Sequence, residues 1–177
     1  MKIQVKTFYL EMNQPSELRP KKAVIEGFRL DKISTPAPKL NRQLYVTVGQ
    51  QWEWIDRLSW DAKDWVSWVD RNELQTSVAY LKDSIAGYFE LELQADGDVE
   101  IAFFGLLPQF IGIGIGGQLL TQAVRSAWEM GAKRVWVHTC TLDHSHALNN
   151  YQARGFKVFR QEIHEQNVDN VDNMDRP

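Results

Sequence analysis

Apolar residues alternate with polar ones, or form short apolar runs, along seven stretches that are predicted to be β-strands. These strands are residues 2–12, 23–33, 75–81, 85–93, 99–107, 134–142 and 156–164. Four further stretches repeat apolar residues every three or four positions, which predicts amphipathic helices. The helices are residues 39–48, 62–71, 117–130 and 146–154. Residues 50–60 fit neither period and receive no assignment.

Residue types at the ends of these elements predict several boundaries. Gly49 is expected to end the first helix, and Asp61 is placed to cap the second. The third, fourth and fifth strands are joined by short segments, and Asp96-Gly97 favours a tight turn. These three strands are therefore expected to be antiparallel neighbours, since a parallel pair needs a long crossover.

Composition places the chain among ordinary soluble domains. It has 177 residues, of which 44% are hydrophobic and 24% charged, and its net charge is −3. That charge gives no general attraction to nucleic acid or to an anionic membrane. The lone cysteine, Cys140, excludes an internal disulfide. The N-terminus lacks the apolar core of a secretory signal, so a cytoplasmic location is expected.

The stretch from Phe110 to Leu120, FIGIGIGGQLL, lies in an uncharged run and has three interpretations. A membrane helix is disfavoured, because the run divides into a strand, a loop and an amphipathic helix. A dinucleotide-binding turn is disfavoured, because the βαβ context and the acidic residue for the ribose are missing. A strand followed by a glycine loop and a helix N-terminus fits a pyrophosphate-binding turn. Glycines that only permit a tight turn are the open alternative.

The segment VEIAFFGLLPQFIGIGIGGQLLTQAV, with the later ALNNYQARGFKVF, resembles the GNAT superfamily of acyl-CoA-dependent N-acyltransferases. RVWVHTCTLDHSHALNNYQARGF also looks like a bacterial group of these proteins. The resemblance covers about residues 22–160. It implies an α/β (α+β) fold with a mixed, mostly antiparallel central sheet flanked by about four helices. The implied division is an N-terminal strand and loop extension (1–22), a GNAT domain (22–166) and a disordered polar tail (167–177).

The resemblance also implies acetyl-CoA as the acyl donor. In the superfamily, a loop of pattern Arg/Gln-x-x-Gly-x-Gly/Ala holds the pyrophosphate through backbone amides, and Ile111 to Gly116 match it here. Ile111 and Ile113 depart from the polar and basic residues common at their positions. The residues expected to contact the donor are Leu106, Leu107, Gly112, Gly114, Gly116, Gly117 and Asn149.

Acyl transfer to an amine needs a base for the ammonium, whose pKa is about 10, and an acid for the leaving thiolate. Glu100 is the predicted base, because a carboxylate in an otherwise apolar strand should have a raised pKa. A solvated strand end is the alternative for Glu100, and Glu90 and Glu92 are weaker candidates. The resemblance implies Tyr151 as the acid, with a buried helix anchor beside Phe156 as the alternative.

The acceptor side is expected to include Trp52 and Trp54, which lie between the first two helices, and His138. Aromatic walls suit an apolar or cationic substrate. His138 also belongs to a cluster of metal-ligand residue types with Cys140, Asp143, His144 and His146. No metal ligand is predicted, because the second distant pair of a usual zinc site is missing.

These features predict an N-acetyltransferase that moves an acetyl group from acetyl-CoA to a primary amine by direct attack in a ternary complex. The acceptor is expected to be a small molecule or a peptide amine, with no nucleic acid or membrane partner, and a homodimer is compatible with the sequence. Two alternatives stay open. One is a GNAT-fold module that binds CoA or another ligand without catalysis. The other is a metal-binding protein that uses His138, Cys140 and His144.

Overall fold

A seven-stranded sheet organises the computed structural model, which describes residues 2–52 and 54–167. The strands are β1 (Lys2–Met12), β2 (Phe28–Lys32), β3 (Leu74–Leu81), β4 (Ser84–Leu93), β5 (Val99–Leu106), β6 (Val135–Cys140) and β7 (Lys157–Asn167). The helices are α1 (Pro38–Gly49), α2 (Ala62–Val69), α3 (Ile115–Glu129) and α4 (Ala147–Ala153). The spatial order is β2-β3-β4-β5-β6-β1-β7, with all pairs antiparallel except β5 with β6. The predicted fold class is confirmed.

β1 is an inner strand, which its sequence pattern did not indicate. It pairs with β6 along one edge and with β7 along the other. Leu10 stands opposite Val137 in β6 and Val158 in β7, and its side chain is completely buried. The division at residue 22 stays a prediction, although β1 shares one sheet with the rest of the described chain.

Helices cover both faces of the sheet because alternate side chains of the central strands point to opposite sides. On β4, Phe89 and Leu91 face α3, whereas Tyr88 faces α1. The cluster under α3 and α4 includes Phe89, Leu91, Leu119, Leu120 and Phe156. The cluster under α1 includes Leu44, Val48, Val78 and Tyr88. None of the helices in the described ranges combines the length and hydropathy that crossing a membrane requires.

The ends of three helices refine the predicted boundaries. Asp61 caps α2 as predicted, and its side chain accepts hydrogen bonds from the amides of Lys63 and Asp64. Gly49 was predicted to stop α1 but is its last helical residue. A Cβ at Gly49 would lie 2.5 Å from the Trp54 Cβ, so close packing explains this glycine.

α3 begins at Ile115, two residues before the predicted start. Gly114, in the left-handed conformation, is its N-cap, so the helix starts at the next residue. β2 covers only Phe28–Lys32 of the predicted 23–33. The polar tail predicted over 167–177 lies outside the described residues from 168 onward.

Replacing Leu10 with alanine should lower the free energy of unfolding by about 3 kcal/mol, because it leaves a cavity in the core between the sheet and α3 and α4. Ile163→Ala on β7 is the control, since Ile163 is 65% exposed. It should change stability by less than about 0.5 kcal/mol. Urea titration of both variants checks this, and equal midpoints would contradict the inner position of β1.

Candidate active site

A cavity opens where the parallel strands β5 and β6 separate. They pair only at Val99 with Val135 and at Glu100 with Trp136. Beyond this point they diverge, and a cavity of about 680 Å³ lies between them. Its walls come from both strands, the glycine loop before α3, the start of α4 and the segment between α1 and α2. Side chains from segments that are far apart in the sequence can therefore contact one bound molecule.

The glycine loop is shaped by two residues in the left-handed region. The φ angles of Gly112 and Gly114 are 85° and 90°, values that cost energy for residues with a Cβ. No atom lies within 4 Å of the place where either Cβ would stand. Gly114 is the N-cap of α3, so the first amides of this helix have no intrahelical acceptor. Open backbone at the positive end of a helix dipole is suited to an anion.

Glu100 lies on the cavity wall at the last position where β5 pairs with β6, and its side chain is 15% exposed. Burial, followed by repulsion from Glu92, raises its pKa to about 7, and Arg57 opposes the rise. Its Oε2 accepts a hydrogen bond from Gln94 at 3.1 Å, and its Oε1 is 3.7 Å from His138 Nε2. The solvated strand end is thus excluded, and the carboxyl is suited to exchange a proton near neutral pH.

His138 and Cys140 both line the cavity from β6. Partial desolvation lowers the pKa of His138, which favours the neutral imidazole. Burial raises the pKa of the Cys140 thiol. An activated cysteine nucleophile needs the opposite change, so a covalent route through Cys140 is disfavoured.

Tyr151 on α4 is buried and lines the cavity. Its ring centroid lies 6.0 Å from those of Phe104 and Phe156. Burial raises the pKa of its phenol, so the hydroxyl keeps its proton at physiological pH. The anchor and acid interpretations are compatible, since one side chain both packs against Phe156 and borders the cavity.

Aromatic side chains form much of the remaining wall. Trp52 meets His144 edge to face, with ring centroids 5.0 Å apart. Trp54 meets Phe103 in the same way at 4.9 Å. All four residues come from segments flanking the β5–β6 gap and line the cavity. The predicted acceptor residues Trp52, Trp54 and His138 therefore border the same space as Glu100.

Comparison with known proteins identifies the family of the chain. The model of the acetyltransferase (GNAT) family matches residues 39–156, from α1 through the end of α4. The chain belongs to the GNAT acetyltransferase family. The curated proteins compared with it gave no match.

Solved structures with GNAT folds resemble the chain closely in shape and weakly in sequence. A GCN5-related N-acetyltransferase from Kribbella flavida is 16% identical with a TM-score of 0.67, over 93% of this chain and 58% of that one. One from Sphaerobacter thermophilus is 18% identical with a TM-score of 0.66, over 92% and 51%. An aminoglycoside acetyltransferase from an uncultured soil metagenomic sample, in complex with trehalose, is 19% identical with a TM-score of 0.60, over 72% and 87%.

At such identities these likenesses show the fold alone. The chain spans 58% of the Kribbella flavida protein and 51% of the Sphaerobacter thermophilus protein. Activity, acceptor and partners are consequently matters for proposal.

The predicted donor residues of this GNAT chain divide into two groups. Those that line the cavity are Leu106, Gly112, Gly114, Gly116 and Asn149. Leu107 is outside the lining, its amide donates to the Ala86 carbonyl, and its carbonyl accepts from Phe110. The Leu107 amide is therefore already bonded within the chain, and a contact between Leu107 and the donor stays a prediction. Gly117 is also outside the lining, and a Cβ there would meet the guanidinium of Arg154 at 2.5 Å.

Asn150 is a cavity residue that the sequence analysis missed. Its Nδ2 donates to the Gly116 carbonyl at 3.2 Å and ties α4 to the first turn of α3. Asn149 beside it is exposed at the cavity. The consecutive asparagines were the signal that the sequence offered for this site. Because an α-helix has 3.6 residues per turn, the two side chains point in different directions.

Glu90 is fully buried and both of its carboxylate oxygens accept hydrogen bonds, so it is unsuited to be a base. Its Oε1 accepts from Asn41 Nδ2 at 2.8 Å. Its Oε2 accepts from Arg57 Nη1 at 3.0 Å and from Trp68 Nε1 at 2.7 Å. The Arg57 guanidinium also stacks on the Trp68 ring, 3.9 Å from its centroid. One carboxylate thus joins α1, α2 and the segment between them to β4.

Asp143 in the His/Cys cluster is engaged by hydrogen bonds within the chain. Asp143 Oδ2 accepts hydrogen bonds from the Thr139 hydroxyl at 2.7 Å and the Cys140 amide at 2.9 Å. Within residues 2–52 and 54–167, no three His, Cys, Asp or Glu side chains are arranged to hold a metal ion. This geometry does not favour the metal-binding alternative.

Glu90→Gln should lower the free energy of unfolding by about 3 kcal/mol, because it leaves the Arg57 charge buried without a partner. Glu92→Gln is the matched control two residues along the same strand. Glu92 pairs with Arg71 at 2.8 Å, and both side chains are partly exposed, so this change should cost less than about 1 kcal/mol. Denaturant unfolding measures both variants, and similar losses would refute the structural role of Glu90.

Proposed function

We propose that the protein is an acetyl-CoA-dependent N-acetyltransferase that acetylates a primary amine by direct attack in a ternary complex. One observation carries the proposal: the open glycine loop, Glu100 and Tyr151 border a single cavity between β5 and β6. The loop suits the phosphates of the donor, and the two titratable groups suit the two proton transfers of the reaction. Family membership supports the acetyl transfer in general terms.

Acetyl-CoA fits the loop as donor substrate. Gly112 and Gly114 leave open space where side chains would stand, so backbone amides can approach a pyrophosphate directly. Leu106, Gly116 and Asn149 would contact the rest of the molecule along the cavity. Ile113, within the loop, is 54% exposed, and Arg154 and Lys21 are the basic side chains close to Gly117 in the first turn of α3. Affinity would depend on the loop amides and the α3 dipole, with these two cations nearby.

The proton transfers are assigned to Glu100 and Tyr151. The ionised Glu100 carboxylate takes a proton from the substrate ammonium, and the freed amine attacks the thioester carbonyl. The Tyr151 hydroxyl, which burial keeps protonated, gives its proton to the departing thiolate. Trp52, Trp54 and His138 would hold the acceptor, a small molecule or a peptide amine.

A non-catalytic CoA-binding module is the second candidate. The apolar Ile111 and Ile113 favour it, because both replace polar residues that would contact the phosphates. Turnover separates the two candidates, since a module binds acetyl-CoA without transferring its acetyl group. A homodimer remains a further proposal with no interface assigned.

Gly114→Ala should weaken acetyl-CoA binding by at least about tenfold, because alanine disfavours φ near 90° and its Cβ enters the open cradle. Gly131→Ala is the matched control. Gly131 has φ 85° and equally open surroundings, but it follows the far end of α3. Calorimetric titration of both variants with acetyl-CoA tests this prediction. Equal affinities of the two variants would show that the glycine loop does not bind the donor.

Tyr151→Phe should lower kcat by about 100-fold while leaving acetyl-CoA affinity within about threefold, because only the acidic hydroxyl is lost. Tyr88→Phe is the control. Tyr88 is fully buried outside the cavity lining, and its hydroxyl has no hydrogen-bond partner in the described chain. Steady-state kinetics with both variants test the assignment, which fails if Tyr151→Phe keeps the wild-type kcat.

The kcat/KM for acetyl transfer should rise with pH through about 7, because Glu100 acts in its ionised form. Glu92→Gln removes a repelling charge and should move this midpoint to lower pH. Glu100→Gln should abolish the midpoint and lower kcat/KM by about 100-fold or more. Profiles of kcat/KM from about pH 5 to about 9 test both variants. An unchanged midpoint in Glu92→Gln would exclude Glu100 as the group whose ionisation sets that midpoint.

A further inference from the structure

Gln94 bridges the carboxyl of Glu100 and the indole of Trp136. Trp136 Nε1 donates to Gln94 Oε1 at 2.9 Å, and Gln94 Nε2 donates to Glu100 Oε2 at 3.1 Å. The backbone of Gln94 is fixed as well, since its amide donates to the Asp98 carbonyl and its carbonyl accepts from Gly97. The chain of hydrogen bonds therefore starts from a rigid turn between β4 and β5.

The indole sets the direction of this chain. An indole N–H can only donate, so the oxygen of the Gln94 amide must face Trp136. The NH₂ of that amide is then directed at Glu100. Without the indole, the amide could turn over and present its oxygen to the carboxylate, which would repel it.

The two oxygens of Glu100 consequently differ. Oε2 is occupied by the Gln94 donor, whereas Oε1 lies 3.7 Å from His138 Nε2. A proton on Oε2 would compete with the Gln94 N–H for the same space. A proton taken by Glu100 therefore goes to Oε1.

We propose that Gln94, oriented by Trp136, is a positioning residue that holds Glu100 with Oε1 as its proton-accepting oxygen. This rests on the proposed role of Glu100 as base. In that step an N–H bond of the substrate ammonium breaks, an O–H bond to Oε1 forms, and the N–H electron pair becomes the lone pair that attacks. Gln94 and Trp136 touch neither substrate nor donor in this scheme.

Several charged groups also face Glu100 and must be kept constant in a test. Glu92 faces it from β4, His138 from β6, and Arg57 from the segment between α1 and α2. Variants of Gln94 and Trp136 leave all three in place. Any change in the titration of Glu100 then reports the hydrogen-bond chain.

The experiment is a ¹³C NMR titration of the Glu100 carboxyl in wild type, Gln94→Met, Trp136→Phe and the double variant. Methionine keeps the approximate volume but removes the donor, so the midpoint should rise by about one pH unit. Trp136→Phe should raise it by less, and the double variant should match Gln94→Met, because Trp136 acts only through Gln94. Trp128→Phe is the control, since the buried Trp128 Nε1 has no partner in the described chain.

The control should leave the midpoint unchanged. An unchanged midpoint in Gln94→Met would overturn the proposal, and so would additive effects of the two substitutions in the double variant. These readouts need neither acceptor nor turnover.

The pH profile of acetyl transfer from acetyl-CoA to tryptamine, spermidine, kanamycin and a lysine peptide then separates this inference from the function on which it rests. Rate midpoints that follow the NMR midpoints support the positioning role. NMR midpoints that move while rate midpoints stay overturn it, because Glu100 would not be the base. If no amine is acetylated, the proposed function fails, and the role of Gln94 toward a base fails with it.

Discussion

The segment between α1 and α2, which carries Trp52 and Trp54, is held to the sheet by one buried ion pair, between its Arg57 and Glu90 on β4. Taking two charges out of water costs several kcal/mol, and only close hydrogen bonds repay that cost. Glu90 meets the condition with donors from Asn41, Arg57 and Trp68. The described residues between α1 and α2 (50–52 and 54–61) form no helix or strand. The position of this segment against the sheet is therefore set by a polar contact that tolerates little displacement.

The second constraint is the short parallel pairing of β5 and β6. Two paired positions join these strands, and the gap beyond them is the cavity. Glu100 stands at the last of these positions, so it is held by the ladder and still borders the opening. The same gap receives the glycine loop from one side and the aromatic wall from the other. The site is thus placed by the divergence of β5 and β6 within the sheet.

The sequence predicted the elements of the fold and the chemical types at the site, because both leave local patterns. The periodicity around β4 and β5, the cap at Asp61 and the glycines of the loop are signals within a few residues. The inner position of β1 was not predictable, because a strand pattern indicates which face is buried and not which strand is adjacent. Gly117 and Leu107 lie outside the cavity lining, which motif spacing could not tell, and their contacts with the donor stay predictions.

Long-range polar contacts were the part of the site that was hardest to predict from the sequence. Glu90 was one of two weaker candidates for the base, and its partner Arg57 lies 33 residues away. Gln94 and Trp136 are 42 residues apart and carry no motif. Such groups acquire a role only when the register of β4, β5 and β6 brings them together. Their burial and hydrogen bonding cannot be inferred from residue type.

The central claim is that the cavity between β5 and β6 binds acetyl-CoA through the glycine loop. Calorimetric titration of the full chain with acetyl-CoA, free CoA and NAD tests it most directly. The account predicts a dissociation constant of roughly micromolar order for acetyl-CoA, similar binding of CoA, and no heat from NAD. Absence of binding by acetyl-CoA and CoA would contradict it and leave the glycine loop as a turn between β5 and α3.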